Sequence, residues 1–447
     1  MLAIALAGLF TVSSTITLLV VSLGDIARSL HTDESTMTWA LAGPMLAFGV
    51  LGPAFGKAGD LWGHKRLFLF GLAGAGVFAL LTGLSWNAAS MISFRILSAS
   101  LGAATGPAAM AMINRLFTHL DRVRALGYWS LTTAGAPVIG VVLGGPLVDA
   151  VGWKAIFLTQ APLCLVGFLL AWRYMPETTR VIGARFDLAG ALLLALGVTS
   201  LLLAANRGSV WGWTNPAVVG SFVLSPVLLG AFVWVEKRVP APLVPLEWLR
   251  RRNVVGPLAS QALTNFAYMG GFVITPLLLE NEFGYTTRLV GFLVIARPLS
   301  FAITAPLGSR FTIRTGERLS GTLGAGIVLG SMLVLAMVPS HPDKLLIIFG
   351  LALSGIGLGL ASPALTSTMA TAVEPEDLGV AAAMQQLMTQ VGAVIGQQVM
   401  LTVREATKVS SGPRGSYANA YWVGAVACAL GLAAATIVRN PGRGEHP

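Results

Sequence analysis

The sequence predicts an all-α membrane protein, and three observations predict it. Apolar residues make up 55% of the 447 and charged residues only 11%, with a mean hydropathy of +0.76. A soluble domain carries about 25% charged residues. A core of ordinary size could not hide this much apolar surface from water, so lipid must be the solvent for most of the chain. Apolar runs of span length, about 20 residues, also follow one another almost without a break. Finally, the bases collect in every second loop between those runs, the asymmetry that orients helices across a membrane.

Met1 opens directly into an apolar run with no clear basic n-region or small-residue cleavage site. Residues 2–23 are therefore read as the first span rather than a signal peptide. The next runs are 37–57, 67–86, 89–114, 124–147 and 153–175, then 187–206 and 216–235. After them come 254–279, 288–308, 319–338, 344–370, 378–402 and 419–438, which makes fourteen. Several hold Pro and Gly, which neighbouring helices tolerate in a membrane. Between the eighth and ninth runs, Val239–Pro245 carries three prolines in seven residues, a composition for an extended linker.

Loop charge sets the orientation. Nineteen of the twenty-nine bases fall on the side of Lys57, Lys65 and Arg66, and eight on the other. Arg95 and Arg297 remain, inside apolar runs. Both termini are therefore expected to be cytoplasmic. The net charge of +10 belongs to this loop pattern and not to a nucleic-acid stripe, so no nucleic-acid partner is expected. Cys164 and Cys428 each sit in an apolar run and read as small buried side chains. The five histidines show no metal spacing. No phosphate-binding glycine loop with Lys-Ser/Thr is present, so direct ATP coupling, a cofactor and an enzymatic reaction are not expected.

The loop after the second run holds Gly56, Asp60, Gly63, Lys65 and Arg66. Its glycines suit a tight turn with positive φ, and Asp60 can serve a helix terminus and pair with a base of another span. Arg95 precedes a small-residue run in span 4, and an Arg at a helix centre costs about 2.5–3.5 kcal/mol on insertion scales, so it should face a cavity and be paired. Span 5 carries Gly135, Pro137, Gly140, Gly144 and Gly145, a small-residue face for close helix contact.

These three stretches resemble the signature loop between spans 2 and 3, the span 4 motif and the exporter span 5 motif of the major facilitator superfamily. With fourteen spans, the resemblance is to its drug:proton antiporter branch. It implies a major facilitator fold: a six-helix bundle over 1–175, two inserted helices and the Pro-rich linker over 176–252, and a second six-helix bundle over 253–447. It also implies that the Asp60 loop is a cytoplasmic gate. The plainer alternative is a charged loop that only fixes topology. A degenerate second copy of the loop, with Arg310, Arg314, Gly316 and Arg318, has Ile313 where the Asp would be.

The chain departs from that branch in span 1, where alignment puts Thr15 at the position of the usual Asp and Gly24 at that of the Pro. None of the nineteen acids lies clearly mid-membrane, although proton exchange needs a titratable group with a pKa raised by burial. Asp25 and Glu280, at outer span ends, are the candidate proton carriers, with interfacial carboxylates as the plainer alternative. Arg297 sits near the middle of span 10 and should point at a cavity, a carbonyl or Glu280.

Polar stripes outline a candidate cavity: Gln386, Gln390 and Gln397 in span 13 fall within about 40° of one another on a helix. Gln261, Asn265 and Tyr268 share one face of span 9 within about 60°, and Thr15 continues the lining in span 1. The alternative is hydrogen bonding between helices, worth about 0.6 kcal/mol per contact. The expected function is secondary export of amphipathic or drug-like small molecules by a monomer in the plasma membrane, surrounded by membrane lipid, with protons as a candidate counter-substrate. The alternatives are a lipid or metabolite carrier without proton coupling, and a non-transporting sensor built on a transporter fold.

Overall fold

The structure, a computed structural model, describes the chain apart from residues 19–22, 33, 38, 118, 179–186, 240–241 and 440–447. Side chains are further left undescribed at 15–18, 23–25, 34–35, 42, 45–46, 49, 119–120, 134, 137–149, 209–210, 287–288 and 376. Among the described residues the regular secondary structure is helical, with no strand.

In chain order the helices are α1 (Leu2–Leu18), α2 (Leu23–Ser29), α3 (Glu34–Met37), α4 (Trp39–Val50), α5 (Gly52–Trp62) and α6 (His64–Gly83). Then come α7 (Ala88–Gly102), α8 (Thr105–Leu116), α9 (His119–Tyr174), α10 (Leu188–Trp211) and α11 (Pro216–Glu236). The second half holds α12 (Arg252–Asn281), α13 (Thr287–Val294), α14 (Ala296–Thr315), α15 (Glu317–Met337), α16 (Lys344–Thr371) and α17 (Leu378–Ile437).

Local sequence explains where several of these begin. Asn87 and Ser90 form a reciprocal capping box at α7, satisfying two donors that a helix start leaves open. Asp187, Asn215 and Asp343 cap α10, α11 and α16 through side-chain oxygens, and Pro216 opens α11 at a position where its missing N–H costs nothing.

Among the described residues, ten helical stretches are long and apolar enough to cross a membrane, where the sequence predicts fourteen runs. Part of the difference has local causes. Run 37–57 is interrupted at Leu51, between α4 and α5. The α17 helix runs 60 residues through Gly412, which breaks helical geometry with φ 73°. Gly152 also breaks helical geometry within α9, with φ 77°, and much of run 124–147 lies outside the described side chains.

Packing falls into clusters that follow chain halves. Phe68, Leu72, Ala104, Ala108, Met112 and Cys164 share a core in the first half. Tyr268, Phe301, Met332, Leu351, Tyr417 and Tyr421 share one in the second. A third cluster joins α10 and α11 to Val50 of α4 and to Val380, Leu387 and Val394 of α17. Many large apolar side chains stay exposed, among them Leu163, Leu165, Val166, Phe222, Val223 and Val227. Water would penalise so large an apolar surface; hydrocarbon does not.

Candidate functional site

The site is built around the end of α5. Asp60 is 1% exposed, which in an apolar surround demands partners for its carboxylate. Its Oδ1 accepts from Arg115 Nη2 at 2.6 Å and from the backbone N–H of Gly379 at 3.2 Å, and lies 3.1 Å from His64 Nε2. Its Oδ2 accepts the N–H of Val380 at 3.2 Å. Gly379 and Val380 open α17, so the carboxylate sits on the free N–H groups of a helix start, where the helix dipole favours negative charge.

Close backbone approach makes this possible. A Cβ added to Gly379 would lie 2.6 Å from the Gly56 carbonyl, and one added to Gly56 would press on Gly379 and Ala383. Lys57, also buried, reaches Asp377 at 3.8 Å. At one end of the molecule, then, α5 and α8 of the first half are tied to α17 of the second by charge and by backbone fit.

Gly63 takes φ 102° between α5 and α6, a conformation that favours glycine. Beyond it, the Lys65 N–H donates to Glu177 Oε1 at 3.0 Å and the His64 N–H to Thr178 Oγ1 at 3.2 Å. Arg66 is an exposed partner of Glu177 at 3.8 Å. The loop's five predicted residues are thus together, but His64, Arg115, Glu177, Asp377 and Gly379 complete the cluster. His64 lies within the loop, but Arg115, Glu177, Asp377 and Gly379 come from three other stretches of chain, which is why sequence reasoning missed them.

The two intramembrane arginines are both buried. Arg95 lies 5.2 Å from the centre of the Phe157 ring, and the neighbouring Ser98 donates to the Ala75 carbonyl. Arg297 is 0% exposed, in the core of the second half. Its Nη1 donates to the Tyr268 carbonyl at 2.8 Å, and its guanidinium lies 5.1 Å from the centre of the Tyr268 ring. Its Nε and Nη2 have no hydrogen-bond partner among the described residues. Of the three partners considered for Arg297, the carbonyl is the one found; Glu280 is exposed.

The polar stripes are partly inside. Gln261, Asn265 and Tyr268 are buried, and Asn265 Nδ2 donates to the Gln261 carbonyl at 2.8 Å. Gln386, Gln390 and Gln397 are half-buried, and Gln386 stands against Gly106 of α8 in the first half. A buried amide that the stripes did not include, Gln160, reaches from α9 to the Thr11 carbonyl of α1 at 3.3 Å. Gly135 is not pressed by a neighbouring helix: a Cβ there would meet nothing within 4 Å. Thr15, Asp25, Pro137, Gly140, Gly144 and Gly145 lie outside the described side chains.

The profile of the Major Facilitator Superfamily matches residues 4–397, and again 258–447. The chain belongs to the Major Facilitator Superfamily. As a superfamily member it is an integral, multi-pass membrane transporter rather than an enzyme. Multidrug resistance protein Stp of Mycobacterium tuberculosis is 28% identical over 89% of this chain and 74% of its own. Puromycin resistance protein pur8 of Streptomyces alboniger is 30% identical over 86% and 77%. The tetracenomycin C resistance and export protein of Streptomyces glaucescens is 27% identical over 90% and 74%. The fold of the transporter is also similar to the crystal structure of the human organic anion transporter MFSD10, with TM-score 0.69 over 97% of this chain and 98% of that one at 15% identity.

Proposed function

We propose that the protein exports amphipathic, drug-like compounds by alternating access. In this reading two six-helix bundles, 1–175 and 253–447, rock about a central path, with 176–252 adding two spans and a linker, fourteen spans in all. The charged end and both termini face the cytoplasm, in the plasma membrane, and one copy is the working unit. The observation that carries the reading is Asp60, which ties Arg115 to the start of α17 across the two halves. Such a contact exists only while that end is closed, so it acts as a gate. The names of the relatives support the substrate class, and the buried amides of α12 and half-buried amides of α17 suit an uncharged path.

A second reading, a lipid or metabolite carrier without a proton step, is favoured by Thr15 in span 1, where related antiporters would place an acid. Asp25 and Glu280 are the candidate proton carriers if exchange occurs. The experiment is transport of ethidium and puromycin by the purified protein in liposomes, with and without an imposed pH gradient. Gradient-driven movement supports exchange; movement that ignores the gradient selects the second reading, and no movement of either compound rejects export of this class.

A further inference from the structure

The junction of α14 with α9 is a structural counterpart of the Asp60 cluster, and it lacks the acids that Asp60 and Asp377 supply there. At one constant spacing along the sequence, Pro53 matches Pro306, Gly56 matches Ser309, Lys57 matches Arg310, Asp60 matches Ile313 and Gly63 matches Gly316. The backbone repeats as well: Gly316 takes φ 94° between α14 and α15, as Gly63 does between α5 and α6. The packing repeats too. Gly56 of α5 presses on Gly379 of α17, and Ser309 of α14 presses on Gly127 of α9.

What differs is the acid. The same spacing matches Asp377, the partner of Lys57, with Arg124. Lys57 therefore keeps a basic counterpart in Arg310, Arg115 is matched by Thr368, Arg314 is added at the position of Leu61, and Asp60 and Asp377 have no acidic counterpart. In their place is a cavity of about 510 Å³ lined by Arg124, Tyr128, Arg310, Ile313 and Arg314. Arg310 and Arg314 make no ion pair or hydrogen bond among the described residues. At the rim, Asp121 is an exposed partner of Arg124 at 3.3 Å. Glu317, just past the turn, is turned to Ser367 of α16.

We propose that this cavity binds a phosphate-class anion, the headgroup of an anionic membrane lipid, which takes the place that Asp60 and Asp377 fill in the first cluster. Arginine's fork of donors suits phosphate oxygens, and three guanidiniums against one rim carboxylate leave the cavity cationic. A lipid is favoured over a soluble anion by the apolar surface beside it. Leu299, Ile303, Leu307 and Phe311 of α14 are exposed, at the spacing of one helix face, and would receive acyl chains next to the headgroup. The α10 helix packs on α4 and α17, on the other junction between the halves, with α11 behind it against α10, and this leaves the present junction to lipid.

The test reads binding directly and stands apart from transport. The full-length protein is reconstituted in phosphatidylcholine with phosphatidylglycerol, extracted, and its retained lipids are counted by native mass spectrometry. The wild type is expected to retain phosphatidylglycerol, and the double variant Arg310→Gln, Arg314→Gln to bind it roughly thirtyfold more weakly for the two charges removed. Ile313→Asp, which supplies the missing carboxylate within the chain, is expected to lose the lipid as well while keeping the wild-type melting temperature. Arg318→Gln, on the same loop outside the cavity, should change nothing. Displacement by millimolar inorganic phosphate would assign the same residues to a free anion and overturn the lipid as occupant. Equal retention by the wild type, the double variant and Ile313→Asp, or an equal loss in Arg318→Gln, would overturn the site itself.

Discussion

Asp60 accepts the backbone N–H of Gly379, 319 residues further along the chain, at 3.2 Å. The bond joins the end of one helix to the beginning of another, and a half-buried arginine, Arg115, holds the same oxygen at 2.6 Å. A carboxylate so placed is expensive to remove, because that would take a charge partner from the guanidinium and leave two helix-start donors unpaired.

Asp60→Asn should therefore weaken the closed state at this end. Charge-assisted hydrogen bonds contribute about 1.5–3 kcal/mol each, so loss of one charge should raise the open population roughly tenfold to a hundredfold. Spin labels on the exposed ends of α5 and α17, read by pulsed electron resonance, should show the longer distance gaining weight. Substrate binding measured in detergent should change less than turnover does. A drop in binding with an unchanged distance distribution would contradict the gate.

Gly379→Ala reaches the same contact through shape. The new methyl carbon would stand 2.6 Å from the Gly56 carbonyl, and overpacking of this kind costs about 1–3 kcal/mol. The substitution should open the same end without touching any charge. Because both variants break one contact, their effects on the distance distribution should combine to less than their sum.

Arg297→Met keeps the bulk and removes the charge. The guanidinium has one carbonyl acceptor and no carboxylate partner among the described residues, so an apolar replacement should leave thermal stability close to wild type. If the charge serves the transport path, efflux should fall by about tenfold, some 1.4 kcal/mol. Unchanged efflux with unchanged stability would make Arg297 a packing residue of the second core.

Glu236 closes α11 and accepts the N–H groups of Leu243 and Val244 at 3.1 and 3.3 Å. This folds the proline-rich linker back on the helix that precedes it. Glu236→Ala should free two buried donors at about 1–3 kcal/mol each and expose the linker. Limited proteolysis should then cut between α11 and α12 faster than in the wild type.

The membrane class, the helical runs and the Asp60 loop were legible in the sequence because each is local: a run of apolar residues or a short motif carries its own signal. The partners of Asp60 were not. Arg115, Gly379 and Val380 read as a loop base and an ordinary helix start, and only tertiary packing brings them to one carboxylate. Arg297 was visible as a charge in an apolar run, but periodicity could not say that its acceptor would be the carbonyl of Tyr268. The count of spans blurred for a different reason, since Leu51 interrupts run 37–57 between α4 and α5, and Gly412 turns the backbone within α17 without ending the helix.

The placement of α10 and α11 also has a consequence at the perimeter. The α10 helix packs on α4 and α17 and α11 packs on α10, which makes that flank thicker, while α9 and α14 meet directly at the opposite one. The outline of the molecule in the bilayer plane is therefore lopsided. A solute diffusing laterally among the lipids reaches the α9–α14 boundary without rounding the additional pair, whereas on the other flank it meets that pair first.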